Sequence, residues 1–333
     1  MRRLAIFLVC LAAVSSLLSC KKSEQEERRK KGIIAVIPKG STSEFWKTVH
    51  AGALKAGDEL GVQVIWKGPI KEDDREAQIK VVEDFISRGV SGIVLAPLDN
   101  TALRASVHDA VNSGIPVVII DSGLKSDDYT SFVATDNYQG GRIAGERLAN
   151  LINGQGKVVL LRYEEGSAST SEREQGFLDS LKENQAVEVV SSNQYGGVTT
   201  ESAYQASENL LSRLKAPDNS LSIQGIFCPN ESTSFGMLRA LQEGGWAGKV
   251  RYIGFDSSAN LVKGLRDGQI DALVLQNPFV MGYLGVKTMV EHLSGKPVAK
   301  RIDTGVTLVT RDNMNNPETK KLLNPDLKVW LGE

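Results

Sequence analysis

The chain has 333 residues, with 39 Lys and Arg against 40 Asp and Glu and a formal charge of −1. That balance provides no basic stripe for a nucleic-acid backbone, so nucleic acid is excluded as an expected partner. Three cysteines and three histidines, none grouped at metal-ligand spacing, give no reason to expect a metal, and no cofactor motif is present.

In chain order, the first element reads as an export signal. Arg2 and Arg3 precede an uncharged apolar stretch, Leu4 to Leu18, which ends at Ser19 and Cys20. The stretch is too short for a permanent membrane span. Leu17, Leu18, Ser19 and Cys20 resemble a bacterial lipobox, which implies cleavage before Cys20 and diacylation of that cysteine. A signal cut elsewhere is the blander alternative; the abrupt change to Lys21 and Lys22 favours the lipobox. Residues 21–31, KKSEQEERRKK, have no apolar side chain to bury and read as a flexible tether. The expected location is the periplasm or cell surface, with a lipid as the one membrane attachment. Loss of Arg2 and Arg3 with the signal takes the mature chain from −1 to −3. Cys10 lies in the signal, so Cys228 is left without a disulfide partner. It reads as a small buried residue ending the strand QGIFC and not as a nucleophile.

From Gly32 onward, short β-branched apolar runs alternate with longer amphipathic stretches, the pattern of parallel sheets with crossover helices. IIAVI (33–37), VQVIW (62–66), GIVLA (92–96) and PVVII (116–120) are uniformly apolar, as strands covered on both faces must be. Helices are predicted at 45–60, 72–88 and 101–113, with Gly61, Gly89 and Gly114 as C-terminal caps. A second series follows, with strands at 157–161, 187–191, 223–227, 250–254 and 271–275. Its helices are expected near 138–152, 170–183, 200–214, 231–243 and 258–266. The fold class is therefore α/β, with two doubly wound parallel-sheet lobes. About 300 residues after the tether suit two globular units.

In such sheets, ligands bind beyond the carboxyl ends of the strands, so two lobes facing each other place the site in the cleft between them. The residues following the strands are Lys39, Ser43, Phe45 and Trp46 after the first, and Asp121 and Ser122 after the fourth. In the second lobe they are Arg173, Asn230, Phe255, Asp256 and Gln276. Sugar hydroxyls both donate and accept, which suits planar Asp, Asn, Gln and Arg groups. The apolar C–H faces of a sugar pack on aromatic rings, and Phe45, Trp46 and Phe255 are candidates for such a sandwich. Each residue has a plainer reading. The two aromatics also fit a helix core, Asp121 a turn before Gly123, Asn230 a helix N-cap, and Arg173 and Lys39 solvated charges.

The segments SEFWKTVHAGALKAGDELG (43–61), IPVVIID (115–121), TDNYQGGRIAG (135–145), SEREQGF (171–177), IFCPNE (226–231), IGFD (253–256) and LVLQNPFVMG (273–282) together carry a family resemblance. Across residues 32–310 the chain resembles the ribose-binding and LacI-like family of periplasmic sugar-binding proteins. The resemblance implies a monomeric receptor of an ABC importer, with a permease as partner and no enzyme activity. It also implies three crossovers, giving lobes of 32–135 with 277–305 and of 136–276 with 306–333. Within the resemblance Phe45 and Trp46 are stacking aromatics, Asp121 a hydroxyl acceptor and Arg173 a bidentate donor. Asn230 and Asp256 are hydroxyl binders, and Gln276 is a polar contact beside a crossover. Ribose binders usually carry Ser or Thr in place of Lys39 and Arg in place of Ser122, which weighs against ribose itself.

Three other functions compete with this one. A LacI-type regulator needs an N-terminal helix-turn-helix where this chain has an export signal. A phosphate-handling enzyme needs a glycine-rich loop opening a helix, whereas GQG at 154–156 precedes a strand. A receptor for autoinducer-2 or a sugar-like signal, feeding a sensory system, uses the same cleft.

Overall fold

The computed structural model describes residues 32–325 and 327–332; the export signal, Cys20 and the tether lie outside them. The first strand, β1 (Ile33–Ile37), shows how the sheets are built. Ile34 and Val36 pack on one face with Val49 and Ala53, while Ala35 and Ile37 pack on the other with Val82 and Phe85. Alternate side chains of a strand face opposite ways, so a sheet with helices on both faces needs apolar residues at every position.

The helix α1 (Glu44–Leu60) follows, then β2 (Gln63–Trp66), α2 (Arg75–Ser87), β3 (Gly92–Leu95), α3 (Arg104–Asn112), β4 (Val117–Ile120) and β5 (Ser131–Ala134). Gly61 ends α1 with φ 69°, the left-handed turn in which glycine is favoured. Two predicted helix starts shift. Asp74 caps α2 by accepting from Ala77 N at 2.9 Å, so Glu72 stands in the preceding loop and not in the helix. Asp99 accepts from Thr101 N and Ala102 N, both at 2.8 Å, which holds 101–103 as a turn before α3.

The chain crosses after Ala134 and builds the second lobe. It contains α4 (Asn137–Leu151), β6 (Gln155–Arg162), α5 (Ala168–Leu181), β7 (Ala186–Tyr195), α6 (Thr200–Arg213), β8 (Gly225–Phe227), α7 (Glu231–Glu243), β9 (Arg251–Phe255), α8 (Ala259–Arg266) and β10 (Ala272–Leu275). Then α9 (Pro278–Leu293) returns to the first lobe and lies across α1. Their backbones touch: a Cβ added to Gly282 would stand 2.0 Å from Val49 O, and one added to Gly52 2.0 Å from Phe279 O. Next, β11 (Arg301–Asp303) joins the first sheet and β12 (Thr307–Val309) the second.

The two sheets repeat one order, β11-β5-β4-β3-β1-β2 and β12-β10-β9-β8-β6-β7. All neighbours are parallel except β12, which is antiparallel to β10. The strands β5, β11 and β12 escaped the sequence reading because each has only three or four residues and a polar or charged one among them, too short a run to stand out. At these crossovers Thr135 Oγ1 lies 3.2 Å from Thr304 Oγ1, and Arg301 Nη2 donates to Thr135 O at 2.9 Å.

The tail corrects one boundary. Sequence reading puts all of 306–333 in the second lobe, and α10 (Pro317–Leu323) does bury Leu323 in the core of that lobe. The last helix, α11 (Lys328–Leu331), instead packs against α1 of the first lobe. Among the described residues no helix is long and apolar enough to cross a membrane, and no group of His, Cys, Asp and Glu is placed to hold a metal ion.

Candidate ligand-binding site

The carboxyl ends of both sheets face one another across a cavity of about 380 Å³. Asp121 directly follows β4 and Asp256 directly follows β9, and each extends its sheet by one rung. Asp121 N donates to Val133 O at 3.1 Å, and Asp256 N to Val274 O at 2.9 Å. Both then turn left-handed, with φ 62° and 65°, a conformation that Asp tolerates better than most residues. Both carboxylates enter the cavity wall from opposite lobes.

Each carboxylate has a cation. Lys39, 3% exposed, places Nζ 2.8 Å from Asp121 Oδ2 and donates to Ser169 Oγ at 3.0 Å and Ser167 Oγ at 3.3 Å on the other lobe. The lysine engages one lone pair of Oδ2, and a carboxylate oxygen has a second. Arg173, 2% exposed, donates from Nε to Asn137 Oδ1 at 2.8 Å and from Nη1 to Pro229 O at 2.9 Å. Its Nη1 is 3.9 Å from Asp256 Oδ2, and Nη2 has no partner. Gln276 Nε2 donates to Asp256 Oδ1 at 2.8 Å, and Gln276 Oε1 has no partner. Buried polar atoms are nearly always hydrogen-bonded. Arg173 Nη2 and Gln276 Oε1 therefore offer one free donor and one free acceptor on residues that line one cavity.

Phe45 and Trp46 line the same cavity, with rings crossed at 86° and 4.9 Å between centroids. Phe255 does not complete a sandwich. It is fully buried, and its ring centroid lies 4.0 Å from Arg173 Cζ, so it supports the guanidinium from behind. Ser122 is also fully buried outside the lining; its Oγ accepts from Ser169 N at 3.1 Å and ties the lobes together. Its place directly after Asp121 in a tight turn directs it into the seam instead of the cavity. Ser43 and Asn230 line the cavity and also cap α1 and α7, Ser43 accepting from Trp46 N and Asn230 from Thr233 N. Cys228 is free and fully buried, and burial pushes its thiol up to about 12.

The sequence reading missed Glu72, Tyr163, Ser169, Thr170 and Glu231, all of which line the cavity. Glu72 accepts from Trp46 Nε1 at 2.9 Å and from the Tyr163 hydroxyl at 3.0 Å, one donor from each lobe. Burial raises its pKa against the opposing pull of Lys39. Glu231 Oε2 accepts from Phe45 N at 3.3 Å, again between lobes. Burial, reinforced by the charge of Asp256, pushes its carboxyl up to about 8. Asp256 is also raised, chiefly by burial, with Arg173 opposing. Tyr163 carried a readable signal, a polar ring just beyond the apolar strand KVVLLR. Glu72 carried none, because it falls inside a stretch of helical spacing.

The lobes are thus joined by lysine-hydroxyl, tyrosine-carboxylate and amide-carboxylate bonds around a polar, aromatic-flanked space. Residues 34–297 match the sequence model of the periplasmic binding protein domain. The chain belongs to the periplasmic binding protein family. This periplasmic binding protein is 28% identical over 280 residues to the ribose import binding protein of Haemophilus influenzae, covering 83% of this chain and 91% of the relative. It is 36% identical to a carbohydrate transporter solute-binding protein of Agrobacterium radiobacter solved with D-arabinose, with a TM-score of 0.83 over 88% of this chain and 99% of the other. A solute-binding protein of Agrobacterium vitis with bound D-fucose is 37% identical, with a TM-score of 0.83 over 88% and 100% of the two chains. These relatives are binding proteins of transport systems, and the periplasmic binding protein described here is likewise no enzyme.

Proposed function

We propose that this chain is the solute-binding lipoprotein of an ABC importer, anchored outside the cytoplasm through Cys20, that closes as a monomer on a monosaccharide or related polyol. The observation that carries the reading is the pair of unpartnered buried atoms, Arg173 Nη2 and Gln276 Oε1, on residues that line the cavity with Phe45, Trp46 and the Lys39–Asp121 ion pair. Ligand hydroxyls, which both donate and accept, satisfy the carboxamide oxygen and the guanidinium without adding charge. The sugars named for the relatives support this class, since D-arabinose, D-fucose and ribose all present neighbouring hydroxyls. Ligand groups touched by both lobes favour the closed state, and this differential affinity is what a permease reads.

A thermal-shift screen of the protein against pentoses, hexoses, polyols and autoinducer-2 tests the reading, because a ligand of the folded state raises the melting temperature. At least one pentose or hexose is expected to raise it, and Arg173→Ala to abolish the rise. Response to autoinducer-2 alone would replace import by signalling. Response to no sugar at all would overturn the assignment.

A further inference from the structure

A second cavity, of about 510 Å³, adjoins the first and is the larger of the two. Thr42, Phe45, Glu231, Asp256 and Gln276 line both, so little more than their side chains separates the two spaces. The bond from Phe45 N to Glu231 Oε2 lies in this partition. Beyond it the second cavity has walls of its own. Thr48 of α1 stands on one side, Ser257, Ser258 and Asn260 at the start of α8 on the other, and Leu322, Leu323, Asn324, Pro325 and Leu327 of the tail border it. The tail is held at both ends, since Leu323 is buried in the second lobe, Ser257 Oγ donates to Leu322 O at 3.4 Å, and α11 rests on α1.

We propose that this outer chamber is a subsite for the second group of a glycoside. One sugar ring occupies the inner cavity, and its glycosidic substituent, a second sugar or a glyceryl group, passes the Phe45–Glu231 partition into the outer one. The proposal rests on the sugar reading given above. Size supports it. A hexose has about the bulk of six waters, ~180 Å³ at ~30 Å³ each, so the inner 380 Å³ already holds a ring and the outer 510 Å³ has room for another. Chemistry supports it as well. Hydroxyls and amides of Thr48, Ser257, Ser258 and Asn260 alternate with the apolar surfaces of Pro278 and Leu322, the mixture that suits a polyol. Gln276 Oε1, buried without a partner, belongs to a residue of the shared wall. Among the described residues the lining includes Glu44, Glu231 and Asp256 but no Lys or Arg, which selects neutral glycosides over uronates and sugar phosphates.

Calorimetric titration first ranks free pentoses and hexoses against the full protein. The methyl, glyceryl and glucosyl glycosides of whichever sugar binds most tightly are then compared. The glyceryl or glucosyl glycoside is expected to bind at least tenfold more tightly than the methyl glycoside. Asn260→Trp and Asn324→Trp, exposed positions on two different walls, are each expected to remove that gain and leave methyl-glycoside affinity and melting temperature unchanged. Extended glycosides that bind no better than the methyl glycoside, or that keep their gain in both tryptophan variants, overturn the outer subsite while the monosaccharide reading stands. Failure of every sugar to bind overturns both.

Discussion

Asp121 and Asp256 occupy matching corners of the two lobes: each is the residue after a central strand, each is left-handed, and each is set against a buried cation from another element. A single non-glycine residue with positive φ is uncommon, and such strain persists where the surroundings hold it for a purpose. Here the left-handed turn takes an acidic side chain off the strand direction and into the interlobe cavity.

The Lys39–Asp121 pair gives the first prediction. Removing one partner leaves the other charge buried, which costs about 3–5 kcal/mol, whereas replacing both is close to neutral. Asp121→Asn and Lys39→Met are each expected to lower stability in urea unfolding by about 3 kcal/mol, and the double variant to recover most of that loss. All three are expected to lose the sugar-induced thermal shift. Additive losses in the double variant would show that the two charges are not coupled.

Tyr163 and Glu72 give the second. The hydroxyl is the second-lobe donor to a carboxylate of the first lobe. Tyr163→Phe is expected to weaken sugar binding about tenfold, since one such hydrogen bond contributes about 1–2 kcal/mol to the closed state. Small-angle scattering of the sugar-saturated variant should show a larger open fraction than wild type at the same concentration. Wild-type affinity would mean that the lobes close without this bond.

Glu231 sets a pH dependence. Its carboxyl holds a proton to about pH 8 in the folded protein, whereas in an unfolded chain a glutamate releases it near pH 4.3. Between those values the folded state binds more protons than the unfolded one, so stability falls as pH rises and levels off above about 8. Glu231→Gln removes that fall. Its melting temperature is expected to match wild type at pH 4.5 and to exceed it by several degrees at pH 8.5. Parallel curves across that range would refute the assignment.

Gly141 gives a prediction for a residue outside the cleft. A Cβ there would stand 1.9 Å from Arg173 O, because α4 and α5 meet backbone to backbone. Gly141→Ala is therefore expected to push α5 outward, move the guanidinium off Asn137 and Pro229, and weaken sugar binding tenfold or more. Overpacking should also cost about 1–3 kcal/mol of stability. Full affinity in this variant would mean that α4, and not α5, gives way.

Much of the candidate site's lining was readable because a polar residue at the end of an apolar strand is conspicuous. Asp121, Asp256 and Gln276 stand out for that reason, and all three line the cavity. Phe255 looked equivalent by position but belongs to the alternate face, and it lies under Arg173. The interlobe partners were not readable, because Glu72 sits in a loop and Glu231 at the first turn of a helix, where acidic residues are common for local reasons.

The sequence by itself determined the α/β class and nine of the twelve strands of the described residues, because burial on both faces forces continuous apolar runs whose carboxyl ends must carry the polar groups. Only the tertiary structure decided which of those groups meet, that Trp46 and Tyr163 share Glu72, and that the tail reaches back to α1 beside a second cavity. Those relations join residues far apart in the chain, and no local periodicity encodes a contact made between two different sheets.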